Sequence, residues 1–166
     1  MTVAKPPRVS GRVPSSPAKQ LAGFIAKFDP AIAQRVRSCR AALRRRLPTA
    51  VELVYDNYNA LAIGFSATER SSDCIVSLAV FPKGVSLAFY YGATLPDPRG
   101  LLQGTGSQNR FLRLESAARL RDPAVEDLLR AAVAQAQSAL AATGRGPTII
   151  KSISAKQRPR RPPNRQ

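Results

Sequence analysis

The chain has 166 residues, which is enough for one domain of ordinary size with a hydrophobic core and terminal extensions. It has no apolar run near the roughly 20 residues of a membrane span, no secretory signal in residues 1–16, and only two cysteines, too few for a disulfide scaffold. It also has no histidine, which excludes a Ser–His or Cys–His nucleophile and removes the commonest metal ligand. We therefore expect a cytoplasmic protein that is not an enzyme, holds no metal or cofactor and does not bind membranes.

The net charge of +16 is concentrated near the two ends of the chain. Residues 1–19 carry +4, residues 143–166 carry +7, and the long stretch between them carries only +5. Flexible cationic segments attract phosphate backbones without reading their sequence. The ends therefore predict non-specific binding to nucleic acid, with a merely solubilising extension as the alternative.

Two helices are predicted in the N-terminal part. Residues 1–16 are rich in proline and serine and are predicted to be a disordered basic tail. Ser16-Pro17 and Asp29-Pro30 each combine an N-cap with a proline in the first turn, so helices should cover about 17–28 and 30–48. On the second helix Arg37, Arg40 and Arg44 lie together. Some of these arginines are explained by the helix dipole, which favours basic residues near a helix C-terminus.

The middle of the chain predicts a sheet. Of the four strands before residue 92, three show alternating apolar and polar residues, and the third, at 74–81, is a nearly continuous apolar run typical of a central strand covered on both sides. A fifth, shorter strand covers 110–115. Asp122-Pro123 starts a last helix, which Thr143-Gly144 would close. The predicted fold is α+β: two N-terminal helices, a mostly antiparallel five-stranded sheet and a C-terminal helix packed on the sheet.

The predicted domain covers residues 17–143. Residues 144–166 are rich in arginine and proline and are predicted to be a disordered tail, in which residues 148–151 and Ile153 could pair weakly. Four arginines of this tail are the candidate nucleic-acid residues. They are Arg158, Arg160, Arg161 and Arg165.

A long loop rich in proline and glycine follows the fourth strand. It carries Phe-Tyr-Tyr-Gly-Ala-Thr-Leu-Pro-Asp-Pro at 89–98, Leu-Leu-Gln-Gly-Thr-Gly at 101–106, and Arg110. This string resembles the signature of the YdhG-like family, small bacterial domains mostly of unknown function, and the resemblance extends from about Val51 to Ala136. It implies the α+β fold.

The same loop is the candidate ligand site. Its Gly-Thr-Gly turn and the nearby guanidinium groups could receive a phosphate or carboxylate, while a plain turn with solvated arginines, and Asp97 as a loop cap, is the alternative. The candidate residues are Tyr90, Asp97, Arg99, Gly104, Thr105, Gly106 and Arg110. The predicted function is thus a non-enzymatic binding module with an anionic ligand or partner at 92–110.

Iron binding is the alternative that the resemblance implies, because the YdhG-like family includes a frataxin-like iron chaperone. Iron would require clustered carboxylates, and Glu52 and Asp56 have the spacing to share one face of a strand. We expect both of them to face solvent instead. An enzyme that uses arginine with aspartate or tyrosine on a phosphorylated metabolite is the third class that the sequence leaves open.

Overall fold

The computed structural model describes residues 15–163. Most of the predicted N-terminal tail and Arg165 lie outside these residues. The helices are α1 (Pro17–Ala26), α2 (Pro30–Arg46) and α3 (Pro123–Gln135). The strands are β1 (Val51–Asp56), β2 (Leu61–Ser66), β3 (Cys74–Phe81), β4 (Gly84–Phe89), β5 (Arg110–Leu114) and β6 (Thr148–Ile153). The predicted α+β class is confirmed.

The six strands form one mixed sheet in the order β5-β4-β3-β2-β1-β6. Neighbouring strands are antiparallel except for β1 and β6, which are parallel. The predicted sheet of five strands is therefore one strand short. The missing strand is an edge strand, and it comes from the segment that was predicted to be disordered.

The core lies between one face of the sheet and the helices. A row of fully buried side chains crosses five strands in register and joins the same core as the apolar stripes of the helices. The row is Val54, Ile63, Leu78, Leu87 and Leu112. Burial of each such side chain contributes about 1.5–3 kcal/mol, so this row holds α2 against the sheet and fixes where the arginines of α2 lie.

The last helix is shorter than predicted. It ends at Gln135, and Ala136 already has extended backbone with ψ 131°. The chain turns there because polar side chains tie it to the start of β3 and the end of β4. Gln135 Nε2 donates to the carbonyl of Tyr91 at 3.0 Å, and the hydroxyl of Ser138 donates to Asp73 Oδ1 at 3.1 Å.

The prediction of a disordered tail at 144–166 is wrong for the part that the structure describes. Residues 148–153 form β6, and the Arg160 side chain farther on is buried, with 5% of its residue surface exposed. The physical reason lies in β1. Its two acidic side chains, Glu52 and Asp56, are fully buried on the helix side of the sheet, and buried carboxylates require partners. Thr148 and Arg160 are two of those partners.

Gly146 fits tightly at the junction where the chain returns to the start of β1. A Cβ atom added at Gly146 would lie 1.7 Å from the carbonyl oxygen of Ala50. We expect Gly146→Ala to reduce the free energy of unfolding by about 2 kcal/mol or more, because the backbone must shift to relieve the overlap. Gly23 is the control, since nothing lies within 4 Å of its added Cβ in α1.

The two alanine variants should therefore have opposite effects. Gly23→Ala is expected to raise the free energy of unfolding by about 0.5–1 kcal/mol, since alanine favours a helix more than glycine does. Urea unfolding of the two variants measures both changes. If Gly146→Ala unfolded at the same urea concentration as the wild type, the β1–β6 junction would have room for a methyl group and the close packing at Gly146 would be contradicted.

Candidate functional site

The charged side chains of the 92–110 loop hold the loop itself. Both oxygens of the Asp97 carboxylate accept hydrogen bonds, from the backbone N–H groups of Leu101 and Leu102 at 2.9 Å each. Arg110 Nη1 donates to the carbonyls of Gly106 and Asn109. These hydrogen bonds match the alternative role of Asp97, in which the side chain caps its own loop.

The seven predicted ligand residues fall into separate groups. Gly104, Thr105 and Gly106 are exposed beside Arg110, and Gly104 has a φ of +118° that favours glycine. Asp97 and Arg99 instead line a groove of about 170 Å³ against the first turns of α3. The Tyr90 ring packs edge-on against the Tyr91 ring, with 4.9 Å between the ring centroids. The loop is thus ordered, and its charged side chains Asp97 and Arg110 are hydrogen-bonded to the loop backbone.

The arginines that were predicted to bind nucleic acid differ in how exposed their side chains are. Arg160 is buried, where its Nη2 donates to Asp56 Oδ1 at 3.0 Å and to the carbonyl of Asn57. Its assignment to nucleic-acid binding is therefore wrong, because the guanidinium is already used in the fold. Arg158 and Arg161 are exposed, and Arg165 lies outside the described residues.

A cationic groove lies along the C-terminal half of α2. It was not among the sites predicted from the sequence. The groove has a volume of about 530 Å³. It is lined by Arg37, Arg40, Ala41, Arg44, Arg45, Pro48 and Arg145. The α2 members recur every three or four residues, so they share one face of the helix. We call this surface the arginine groove.

Two arginines form the inner wall of the groove and are anchored to the sheet. Arg40 makes two parallel hydrogen bonds to the Glu52 carboxylate, Nε to Oε2 at 2.6 Å and Nη2 to Oε1 at 2.7 Å. These bonds raise the pKa of Arg40. Arg44 Nη2 donates to the carbonyl of Gly146 at 2.8 Å. Both side chains therefore hold β1 and the residue 146 junction to α2.

Three further arginines form the open side of the groove. Arg37, Arg45 and Arg145 are exposed, and none of them forms an ion pair with another residue in the range 15–163. The pKa of Arg44 is lowered, first by burial and also by the positive charges of Arg145 and Arg40. The groove therefore has a positive potential and donors that are free to bind an anion.

The sequence carried a signal for this groove. α2 has six arginines and no acidic residue, whereas the helix dipole accounts only for basic residues in the last turn. Arg37 and Arg40 lie before that turn. The contribution of Arg145 had no local signal, because it comes from a segment that follows α3 by ten residues in the chain.

The acidic pair on β1 is not exposed, contrary to the expectation from the sequence. Glu52 and Asp56 do share one face of the strand, but that face is the buried one. Glu52 accepts hydrogen bonds from Arg40 and Thr148. Asp56 accepts them from Lys27 and Arg160 at 3.0 Å each. Among residues 15–163, no group of three histidine, cysteine, aspartate or glutamate side chains is placed to hold a metal.

Acid should destabilise the fold through Asp56. Burial alone raises the pKa of this carboxyl, but hydrogen bonds from Gln157, Lys27 and Arg160 outweigh burial and lower the pKa below its ordinary value of 3.8. The charged carboxylate thus stabilises the fold above about pH 4, and this contribution is lost as the pH falls through the lowered folded-state pKa.

The measurement is urea unfolding between pH 5 and pH 2.5, compared with Asp56→Asn. We expect the wild type to lose stability more steeply with acid than the variant, because only the wild type has the Asp56 carboxylate to protonate. The pKa of Asp73 is also lowered, and protonation of Asp73 destabilises the wild type and the variant equally. Parallel curves would contradict a special role for Asp56.

Both cysteines are buried thiols without a reactive environment. Burial raises the pKa of Cys39 to about 11 and that of Cys74 to about 12. Only the thiolate is a good nucleophile. Neither side chain is therefore suited to redox or nucleophilic chemistry near neutral pH.

The fold and the groove together define a small α+β domain with a cationic surface on one helix. Comparisons of the chain with protein-family models, curated proteins and solved structures found no match. The resemblance to the YdhG-like family therefore stays a prediction. None of the helices within residues 15–163 has the length and apolar character needed to cross a membrane.

Proposed function

We propose that the protein is a non-enzymatic binding module that attaches to the phosphate backbone of nucleic acid through the arginine groove. The observation that carries the proposal is the cluster of Arg37, Arg45 and Arg145, three exposed guanidinium groups around one groove. Arginine suits this role because its planar fork matches the geometry of phosphate oxygens.

The shape of the groove favours a polymer over a small anion. From Arg37 to Arg45 the groove follows α2 for roughly 12 Å, at about 1.5 Å per residue. Two of its free charges, Arg37 and Arg45, are attached about two helical turns apart on α2. A repeating line of phosphates fits this spacing better than a single phosphate. The overall charge of +16 adds long-range attraction to any polyanion.

Anion binding at the 92–110 loop has less support than binding at the arginine groove. The exposed backbone of Gly104, Thr105 and Gly106 remains a candidate for anion contact. Arg110 contributes less than expected, since its guanidinium donates to the carbonyls of the loop. Binding therefore centres on α2, with the loop as a neighbouring contact.

The frataxin-like iron chaperone has less support. Iron would have to displace the partners of Glu52 and Asp56, both of which are buried in ion pairs. Breaking such pairs is costly. Calorimetric titration of the full chain with ferrous iron distinguishes this function from the proposed one.

The proposed function is tested by titrating the full chain against labelled duplexes of two unrelated sequences over a salt series. We expect equal affinity for both sequences and a logarithm of the binding constant that falls linearly with the logarithm of salt concentration. The three exposed arginines should contribute about 3 to the magnitude of that slope, at about 0.9 per phosphate contact. Absent binding, or binding that salt does not weaken, would refute the proposal.

A further inference from the structure

Two exposed aromatic side chains lie at the same end of the sheet. Tyr58 in the β1–β2 turn is 42% exposed, and Phe81 at the end of β3 is 44% exposed. Among residues 15–163, the other large hydrophobic side chain with comparable exposure is Ile153. A single exposed aromatic needs no explanation, but two beside basic residues indicate a binding surface. We call Tyr58, Phe81, Lys83 and Arg158 the aromatic end.

A groove of about 540 Å³ opens at the aromatic end, between the sheet turns and the C-terminal segment. It is lined by Asn59, Phe81, Pro82, Lys83, Arg158, Pro159, Arg161, Pro162 and Pro163. Its volume is within the range of about 300–1,000 Å³ that is typical of ligand sites. Phe81 is the aromatic side chain among these lining residues, and it is 44% exposed.

Arg158 is held in place beside this groove. Its backbone N–H donates to the carbonyl of Tyr58 at 2.9 Å, and its guanidinium carbon lies 5.5 Å from the centroid of the Tyr58 ring. The stacking on Tyr58 orients the guanidinium without neutralising it. Arg158 therefore keeps its charge available at the rim.

The charge of the groove is positive. None of the described residues that line it is acidic, and Lys83 and Arg158 are both exposed. Arg161 contributes less, because its Nε donates to the carbonyl of Lys27 and lies 3.9 Å from Asp29 Oδ1. An aromatic face with two free cations beside it suits a ligand that is both planar and anionic.

We propose that the aromatic end binds an unpaired base of single-stranded nucleic acid, with the base stacked on Phe81 and the adjoining phosphates on Lys83 and Arg158. Stacking on an aromatic side chain tolerates any base, since every base has a flat face. A duplex cannot bind in this way, because its bases are already stacked inside the helix. This inference rests on the proposed function and adds to it a contact that only a strand with unpaired bases can make.

The aromatic end and the arginine groove lie at opposite ends of β1. The groove reaches Pro48, just before the strand, and Tyr58 follows its last residue. The six-residue strand separates the two surfaces by roughly 20 Å, at about 3.3 Å per residue. One strand of several nucleotides can therefore contact both surfaces.

The first experiment replaces Phe81 by tryptophan, in the full chain. The chain has no tryptophan, so Phe81→Trp introduces a single fluorescent probe. We expect an oligothymidine to quench its emission through stacking, whereas a blunt duplex of equal length should not. Ala134→Trp is the matched control, because Ala134 is exposed near the C-terminal end of α3, which lies beside the start of β3 and so at the opposite end of that strand from Phe81. Equal quenching at both positions, or none at Phe81→Trp, would overturn the inference.

The second experiment measures affinity for Phe81→Ala. We expect binding to the oligothymidine to weaken about tenfold, the loss of one stacked base, with an unchanged salt slope and unchanged duplex binding.

If the wild type binds neither nucleic acid, the proposed function fails and this inference fails with it. If the wild type binds both and Phe81→Ala changes neither, the inference alone fails. An equal loss for both would also refute the stacked base, and binding of an acidic peptide in preference to the oligothymidine would assign the surface to a protein partner.

Discussion

Simultaneous replacement of Arg37, Arg45 and Arg145 by glutamine is expected to remove most of the affinity for duplex nucleic acid at low salt. Each guanidinium that contacts a phosphate contributes about 1 to the slope of log binding constant against log salt concentration. The slope should therefore fall by about 3, with the same loss for every duplex sequence. Glutamine keeps most of the side-chain length, and all three positions are exposed, so the fold should be unaffected.

The control for this experiment removes the same charge elsewhere. Lys19, Arg70 and Arg130 are also exposed and lie outside both proposed surfaces, and their triple glutamine variant has the same net charge as the groove variant. If placement matters, the control should change the slope by much less. Equal losses in the two variants would show that net charge alone drives binding and that the arginine groove is not a site. Arg40 and Arg44 stay unchanged because they hold the fold.

Replacement of Arg160 by methionine is expected to cause a large loss of stability. The Arg160 guanidinium and the Asp56 carboxylate are both buried, with side-chain exposures of 3% and 0%. Removal of one partner leaves the other charge buried with less compensation, which typically costs about 3–5 kcal/mol. We expect a loss near the lower limit, since Lys27 still donates to Asp56. Urea unfolding of the full chain measures it.

Arg161 provides the matched comparison, because it neighbours Arg160 in the chain but its side chain is 55% exposed. Arg161→Met should change the free energy of unfolding by no more than about 0.5 kcal/mol. A double variant with Asp56→Leu and Arg160→Met should recover part of the loss, since it leaves no buried charge unpaired. If Arg160→Met were no worse than Arg161→Met, the buried pair would contribute little to the fold.

Local signals in the sequence were sufficient for most of the fold. The helix starts at residues 17, 30 and 123 follow from a serine or aspartate before a proline, and all three are confirmed. β1, β2 and β4 follow from the alternation of apolar side chains, and β3 follows from its nearly continuous apolar run. β5 is the short extended segment expected after the loop. These features depend on residues close together in the chain.

The remaining features depend on residues far apart in the chain. β6 and Arg160 belong to a segment whose composition is typical of disorder, and only their partners in β1, about 100 positions earlier, make them ordered. Glu52 and Asp56 were the available signal, because two acids on the same face as Val54 must be either exposed or paired. The arginine groove was missed for the same reason, since Arg145 joins α2 only in the folded chain.

The position of β6 in the sheet has a consequence for biosynthesis. The Thr148 hydroxyl that bonds Glu52 is 96 positions from it, and Arg160 is 104 positions from Asp56. Both carboxylates therefore lack these partners until residues 148–160 have left the ribosome. The nascent domain can collapse earlier but cannot complete this edge of the sheet before then, so chains that terminate before residue 148 should be substrates for chaperones and proteases.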